Sequence, residues 1–154
     1  MIEVRAEPPD GPASQALFDD YLALVRERLG PGFAPSEDIF ATEGAFRGAG
    51  SAWLVLYEDG AAVGCGGLRP CAPGVGEIKR MFVAPAARGR GHGRRLLTEL
   101  ETRAGVAGYE RIRLLTTEVL AEARDLYRSA GYEIASTERR GGRVDFWLEK
   151  RLGG

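Results

Sequence analysis

The residues best suited by type and spacing to chemistry are Arg88-Gly89-Arg90-Gly91-His92-Gly93-Arg94-Arg95. They lie where an apolar strand pattern gives way to a helical one. The first amides of a helix lack internal partners and point outward at the positive end of its dipole, so an anion placed there gains several hydrogen bonds at once. Gly91 and Gly93 carry no side chain to block that approach. Arg88, Arg90, Arg94 and Arg95 surround the turn with positive charge, which suits a pyrophosphate or a larger polyanion.

Glycines also make tight turns with no ligand, so the arginines carry much of this inference. A Walker loop needs Lys and then Ser or Thr after its last glycine, and here Arg94 and Arg95 follow Gly93. Hydrolysis of a nucleoside triphosphate is therefore disfavoured. A dinucleotide fingerprint would open the first unit of a parallel sheet, whereas this turn follows an apparent antiparallel meander.

The elements that must position the turn are legible on both sides of it. Ile2 to Glu7 alternates as a short strand, and Pro8, Pro9, Gly11 and Pro12 break the backbone. Leu17, Phe18, Tyr21, Leu22, Leu24, Val25 and Leu29 recur at helical spacing from Ala16 to Leu29. A second helix is expected from Ser36 to Phe46, with Ser36 as its cap. Ala52 to Tyr57 and Ala61 to Leu68 flank Glu58-Asp59-Gly60 as a hairpin, and Glu77 to Val83 extends the sheet. Leu96, Leu97, Leu100, Ala104 and Ala107 form the stripe of the helix after the glycine turn, closed by Gly108. Arg111 to Thr116 is a strand. Val119, Ala123, Leu126, Tyr127 and Ala130 mark a helix that Thr117 could cap and Gly131 could end. Tyr132 to Glu138 and Arg143 to Leu152 flank Gly141-Gly142 as a closing hairpin. The expectation is one α/β domain over residues 1–154, about seven strands and four helices, in the order β-α-α-β-β-β-α-β-α-β-β.

Composition agrees with an ordinary globular domain, since 44% hydrophobic residues supply a core and 28% charged residues cover it. Near balance of 21 basic and 22 acidic residues removes the basic field expected of a duplex binder. Aromatic residues do not interleave with the arginine cluster, so no nucleic-acid partner is expected. Cys65 and Cys71 form no CxxC pair and have no histidine companions, which argues against a metal site and for a reducing cytoplasm. No window approaches the roughly 20 apolar residues that span a bilayer.

With these elements placed, the chain resembles the GCN5-related N-acetyltransferase (GNAT) superfamily, whose signature is Arg or Gln, two residues, Gly, one residue, then Gly or Ala. Arg88, Gly91 and Gly93 match it, and the similarity reaches back through Glu77-Ile78-Lys79-Arg80-Met81-Phe82-Val83 and forward to Leu126-Tyr127-Arg128-Ser129-Ala130-Gly131-Tyr132. The resemblance implies transfer of an acetyl group from acetyl-coenzyme A to an amine. It implies that the Glu77–Val83 strand and the strand after the glycine helix splay apart, with pantetheine in the gap beside Met81, Phe82 and Val83. The diphosphate would lie on the turn formed by Arg88, Gly89, Arg90, Gly91, His92, Gly93 and Arg94. Many relatives pair, so the resemblance is compatible with a homodimer.

The same resemblance assigns the proton chemistry. Glu77 matches the position of the family's carboxylate base, and its other reading is a solvated charge at the strand end beside Lys79. Tyr127 matches the tyrosine that protonates the departing thiolate, and its other reading is a member of an apolar stripe. Many members carry an asparagine seven residues before this tyrosine, where Leu120 stands here. His92 is expected to contribute backbone only, its side chain turned to solvent, and Cys65 to be a buried structural thiol. A noncatalytic acyl-coenzyme-A sensor would keep the phosphate turn and need neither Glu77 nor Tyr127. The acceptor's identity is not written in these motifs.

Overall fold

A computed structural model describes residues 1–30, 46–118, 120–140 and 142–153, with the side chain of Arg140 outside the description. The expected helix from Ser36 to Phe46 lies almost wholly outside the described residues. In chain order the elements are β1 (Ile2–Ala6), α1 (Pro12–Leu29), β2 (Ala52–Glu58), β3 (Ala61–Ala72), β4 (Val75–Val83), a short 3-10 turn (Pro85–Ala87), α2 (His92–Val106), β5 (Arg111–Thr117), α3 (Ala121–Ser129), β6 (Glu133–Arg140) and β7 (Arg143–Arg151). The seven strands form a single sheet in the order β1-β2-β3-β4-β5-β7-β6. Among the described residues only the β4–β5 pair is parallel. This is the mixed α/β architecture expected from the sequence.

Several boundaries moved for local reasons. Helix α1 begins at Pro12, whose fixed φ suits the first helical position. Strands β3 and β4 run past Leu68 and start at Val75, because Gly74 at φ 74° turns the chain between them. The expected Thr117 cap is not made: α3 starts at Ala121 behind Leu120, without a side-chain cap. The Thr117 hydroxyl instead donates to the Val144 carbonyl, at 3.5 Å.

Two cores form on opposite faces of the sheet. Under α2 and α3 lie Leu54, Leu56, Leu68, Ile78, Ile112, Leu114 and Leu148, packed on Leu96, Leu97, Leu100 and Tyr127. Under α1 lie Trp53, Val55, Cys65 and Phe82, packed on Leu17 and Phe46. Each fully buried leucine contributes about 1.5–3 kcal/mol relative to exposure, so the three from α2 fasten the helix that carries the glycine turn.

The α1-side core is tight at Gly67. A Cβ there would stand 2.5 Å from the Phe46 ring and 2.7 Å from the Trp53 ring. Trp53 is held by its indole N–H, which donates to Ser14 Oγ at 2.7 Å. Gly67→Ala is therefore expected to destabilise the fold by roughly 1–3 kcal/mol, read as a lower urea midpoint at unchanged slope.

Candidate functional site

The parallel ladder between β4 and β5 pairs Val75–Ile78 with Arg111–Leu114 and then stops. Beyond Ile78, β4 keeps only β3, while β5 continues on β7 as far as Thr117. The two strands therefore part at the middle of the sheet. A bulge contributes: Cys65 pairs Phe82 and Gly67 pairs Lys79, so Arg80 and Met81 together face Gly66. Arg80 takes a left-handed φ of 57°, uncommon for a residue with a side chain.

The gap opens into a cleft of about 300 Å³. Met81, Phe82 and Val83 form its β4 wall, Arg88, Gly89, Gly91, His92, Gly93 and Arg94 its turn, and Tyr127 its α3 wall. Nine of the ten residues assigned to coenzyme binding from the sequence line it. The tenth, Arg90, turns its side chain away to pair with Glu58. Tyr21 and Leu24 from α1, and Leu120, Glu122, Ala123 and Leu126 around α3, complete the lining. None of these six was singled out as a site residue from the sequence, because at helical spacing a cleft wall and a core stripe look alike.

The turn has the geometry of an anion site. Gly91 is the N-cap of α2 at φ 80°, and no side chain caps the helix. The Arg95 amide bonds to the Gly91 carbonyl, so the amides of His92, Gly93 and Arg94 precede the first intrahelical bond. Arg88 Nε donates to the Val83 carbonyl at 3.0 Å, tying the turn to the end of β4. Arg88 also meets Glu122, which pairs with Arg28 of α1 as well. Arg94 donates to Ser129 Oγ at 2.6 Å.

His92 corrects one expectation. Its ring is buried and its Nε2 donates to Glu58 Oε2 at 2.8 Å. Glu58 ends β2, 34 residues earlier in the chain, so no local spacing could have shown this pair. It fastens the turn to the sheet, with Arg90 on the other oxygen of the same carboxylate.

Tyr127 is buried against the α2-side core, 6.0 Å from the Tyr132 ring, yet still lines the cleft. Its hydroxyl has no hydrogen-bond partner among the described residues. Burial, with the nearby Tyr21 adding a smaller effect, pushes the phenol well above its usual range, so it holds its proton at neutral pH.

Glu77 is placed differently. It is buried on the α1 side of the sheet and does not line the cleft. Arg69 Nε and Nη2 reach its Oε1 at 3.0 and 2.9 Å, and Arg113 Nε lies 3.9 Å from Oε2. Reading this carboxylate as a solvated strand-end charge is incorrect, because β3 and β5 flank it with paired arginines. Cys65 is a buried thiol, pushed up to about 12 by burial, while Cys71 is exposed. Thiol titration should therefore find one rapid equivalent in the native protein and a second only on unfolding.

Comparison with known proteins agrees with this geometry. Residues 15–132 match the model of the acetyltransferase (GNAT) family. An IAA acetyltransferase of Azospirillum brasilense is 43% identical over 81 residues, 52% of this chain and 53% of that protein. The match thus spans about half the length of that relative. An acetyltransferase of the GNAT family from Staphylococcus aureus Mu50 superposes with a TM-score of 0.79 at 17% identity, over 99% of this chain and 100% of that one. The ribosomal-protein-S18-alanine N-acetyltransferase of Escherichia coli superposes at 0.72 with 18% identity, over 100% and 96% of the two chains. The parted strands, the uncapped glycine turn and the family match lead to one conclusion: the chain belongs to the acetyltransferase (GNAT) family.

Proposed function

We propose that this chain transfers the acetyl group of acetyl-coenzyme A to a primary amine by direct attack. The observation that carries the reading is the cleft between β4 and β5, with open helix amides at one end and, in its wall, a buried phenol that has no hydrogen-bond partner among the described residues. The amides of His92, Gly93 and Arg94 suit the diphosphate. Beyond Ile78, β4 has backbone groups unpaired by β5, and those of Met81 and Val83 suit the amides of the pantetheine arm.

A lysine-like amine has a pKa of roughly 10.4 and arrives protonated, so it must lose a proton before its lone pair attacks the thioester carbon. The C–N bond forms as the C–S bond breaks. The Tyr127 phenol donates a hydrogen bond to the departing sulfur and then its proton. Both groups share an apolar cleft, which raises thiol and phenol alike and keeps transfer between them accessible. Glu77 is the proposed base. It lies outside the cleft lining, so a water must carry the proton to it.

The test is an acetyl-coenzyme-A consumption assay across a panel of amines, repeated with Glu77→Gln. A base role predicts a fall in kcat/KM together with loss of the acidic limb of the pH profile. If Glu77 only holds Arg69 and Arg113 in place, stability falls and the limb stays. Tight binding of acetyl-coenzyme A without transfer to any amine would replace the enzyme with a noncatalytic acyl-coenzyme-A sensor.

A further inference from the structure

The cleft draws its walls from both faces of the sheet. Successive strand residues point to opposite faces. Met81 and Val83 pack on the core that holds Tyr127, whereas Phe82 belongs to the core under α1, and all three line the cleft. The cleft therefore reaches through the sheet where β4 parts from β5. With the coenzyme arm along Met81 to Val83 and its diphosphate on the glycine turn, the wall left for an acceptor is the α1 side, formed by Tyr21, Leu24 and Phe82.

Most polar side chains of the lining are already engaged. Arg88 holds the Val83 carbonyl, His92 holds Glu58, Arg94 holds Ser129, and Glu122 pairs with Arg28 and Arg88. Two phenols remain, Tyr127 and Tyr21, whose hydroxyls have no hydrogen-bond partner among the described residues. Tyr127 stands on the α3 wall and is assigned to the departing sulfur. Tyr21 stands on the opposite wall, on the side left to the acceptor.

The Tyr21 ring is held in place. It meets the Phe82 ring edge-on with centroids 5.7 Å apart and stacks on the Phe18 ring at 6.4 Å. These contacts use the ring and leave the oxygen free to meet a ligand. Tyr21 adds to the rise of the Tyr127 phenol, so the two are within electrostatic reach of each other in one cleft of about 300 Å³. Burial raises the Tyr21 phenol too, with Arg80 and Arg143 opposing part of that rise. It therefore keeps its proton at neutral pH and is not a base, but its oxygen still accepts a hydrogen bond.

We propose that Tyr21 positions the acceptor: its oxygen accepts a hydrogen bond from an N–H of the deprotonated amine and so directs the nitrogen lone pair at the thioester carbon. Tyr21 and Tyr127 then divide the reaction, one on the attacking nitrogen and the other on the leaving sulfur. Tyr21 gains and loses no proton. This deepens the acetyltransferase reading of the cleft and rests on it.

The experiment follows thiol release with propylamine, phenethylamine, free amino acids and a short peptide as acceptors, in the wild type, Tyr21→Phe and Tyr21→Leu. Each variant is measured on the acceptor that the wild type turns over fastest. Phenylalanine keeps both ring contacts and removes only the oxygen. Tyr21→Phe should lower kcat/KM for the amine roughly five- to tenfold, the effect of one neutral hydrogen bond, with KM for acetyl-coenzyme A and the melting temperature unchanged. A ring that serves packing alone predicts a different pattern, in which Tyr21→Phe matches the wild type and only Tyr21→Leu loses activity and stability. That pattern overturns the proposal and leaves the acetyltransferase standing. A crystal structure of the wild type with coenzyme A and the same amine covers the case in which Tyr21→Phe folds poorly. The amine nitrogen within hydrogen-bond distance of the Tyr21 oxygen supports the proposal, and a nitrogen seated elsewhere refutes it. If the wild type acetylates none of the amines, the reading of the cleft falls and the role of Tyr21 with it.

Discussion

Tyr127→Phe is expected to lower kcat by roughly 100-fold, within the range for removing a positioned general acid, while KM for acetyl-coenzyme A stays unchanged. The separation follows from geometry. The ring belongs to the α2-side core with Leu96, Leu97 and Leu100, and phenylalanine keeps that packing. Only the hydroxyl is lost, and it has no other partner among the described residues. The pH dependence has a definite sign. Burial raises the phenol, so the proton it must donate is present through neutral pH and is lost only as pH climbs past the usual phenol value of about 10. Stability follows the same direction. What the neutral phenol contributes is fully present below the unfolded value and is lost as pH rises through the raised folded one. Steady-state kinetics from neutral to alkaline pH, with a melting curve at each point, check all of this. A variant with wild-type kcat would remove Tyr127 from the mechanism.

Gly91→Val should raise KM for acetyl-coenzyme A by about tenfold or more. Gly91 caps α2 at φ 80°, where a side-chain-bearing residue costs roughly 1–2 kcal/mol and a β-branched one fits worst. The site has room for a Cβ, with nothing within 4 Å, so the loss comes from backbone strain and from a side chain beside the anion amides, not from a clash with the protein. Either the turn holds its shape and the fold loses stability, or it relaxes and the three amides no longer converge. Both outcomes weaken the diphosphate site, and the melting temperature tells them apart. Gly93 differs. A Cβ there would stand 2.8 Å from Leu126 Cδ2, so Gly93→Ala should turn the Leu126 side chain aside and reshape the cleft wall by packing, at little cost to the helices.

Much of this was legible in the sequence because the strongest signals are local. The hairpin at Glu58-Asp59-Gly60, the stripe from Leu96 to Ala104 and the glycines that punctuate the turn depend on neighbours a few residues apart. The ends of β3 and β4 were harder to read, because Arg69 and Pro70 look like a strand stop. Proline is tolerated there because the β3–β4 register slips between Pro70 and Ala72. The glycine turn was legible for the same local reason.

The surroundings of individual side chains were not. His92 reaches Glu58, and Glu77 is met by Arg69 and Arg113, across strand neighbours fixed only when the sheet assembles. The Arg69–Glu77 contact could have been read from a β3–β4 hairpin with its register known, since the two residues are direct cross-strand partners. Arg80 carried no sequence signal of its own. Its left-handed φ belongs to the bulge that also helps part β4 from β5.

The most direct measurement is a crystal structure grown with coenzyme A. The account predicts the diphosphate within hydrogen-bond distance of the amides of His92, Gly93 and Arg94, with the pantetheine arm along Met81 to Val83 and its sulfur beside Tyr127. A diphosphate seated elsewhere, or a cleft that stays closed at saturating coenzyme A, would contradict it.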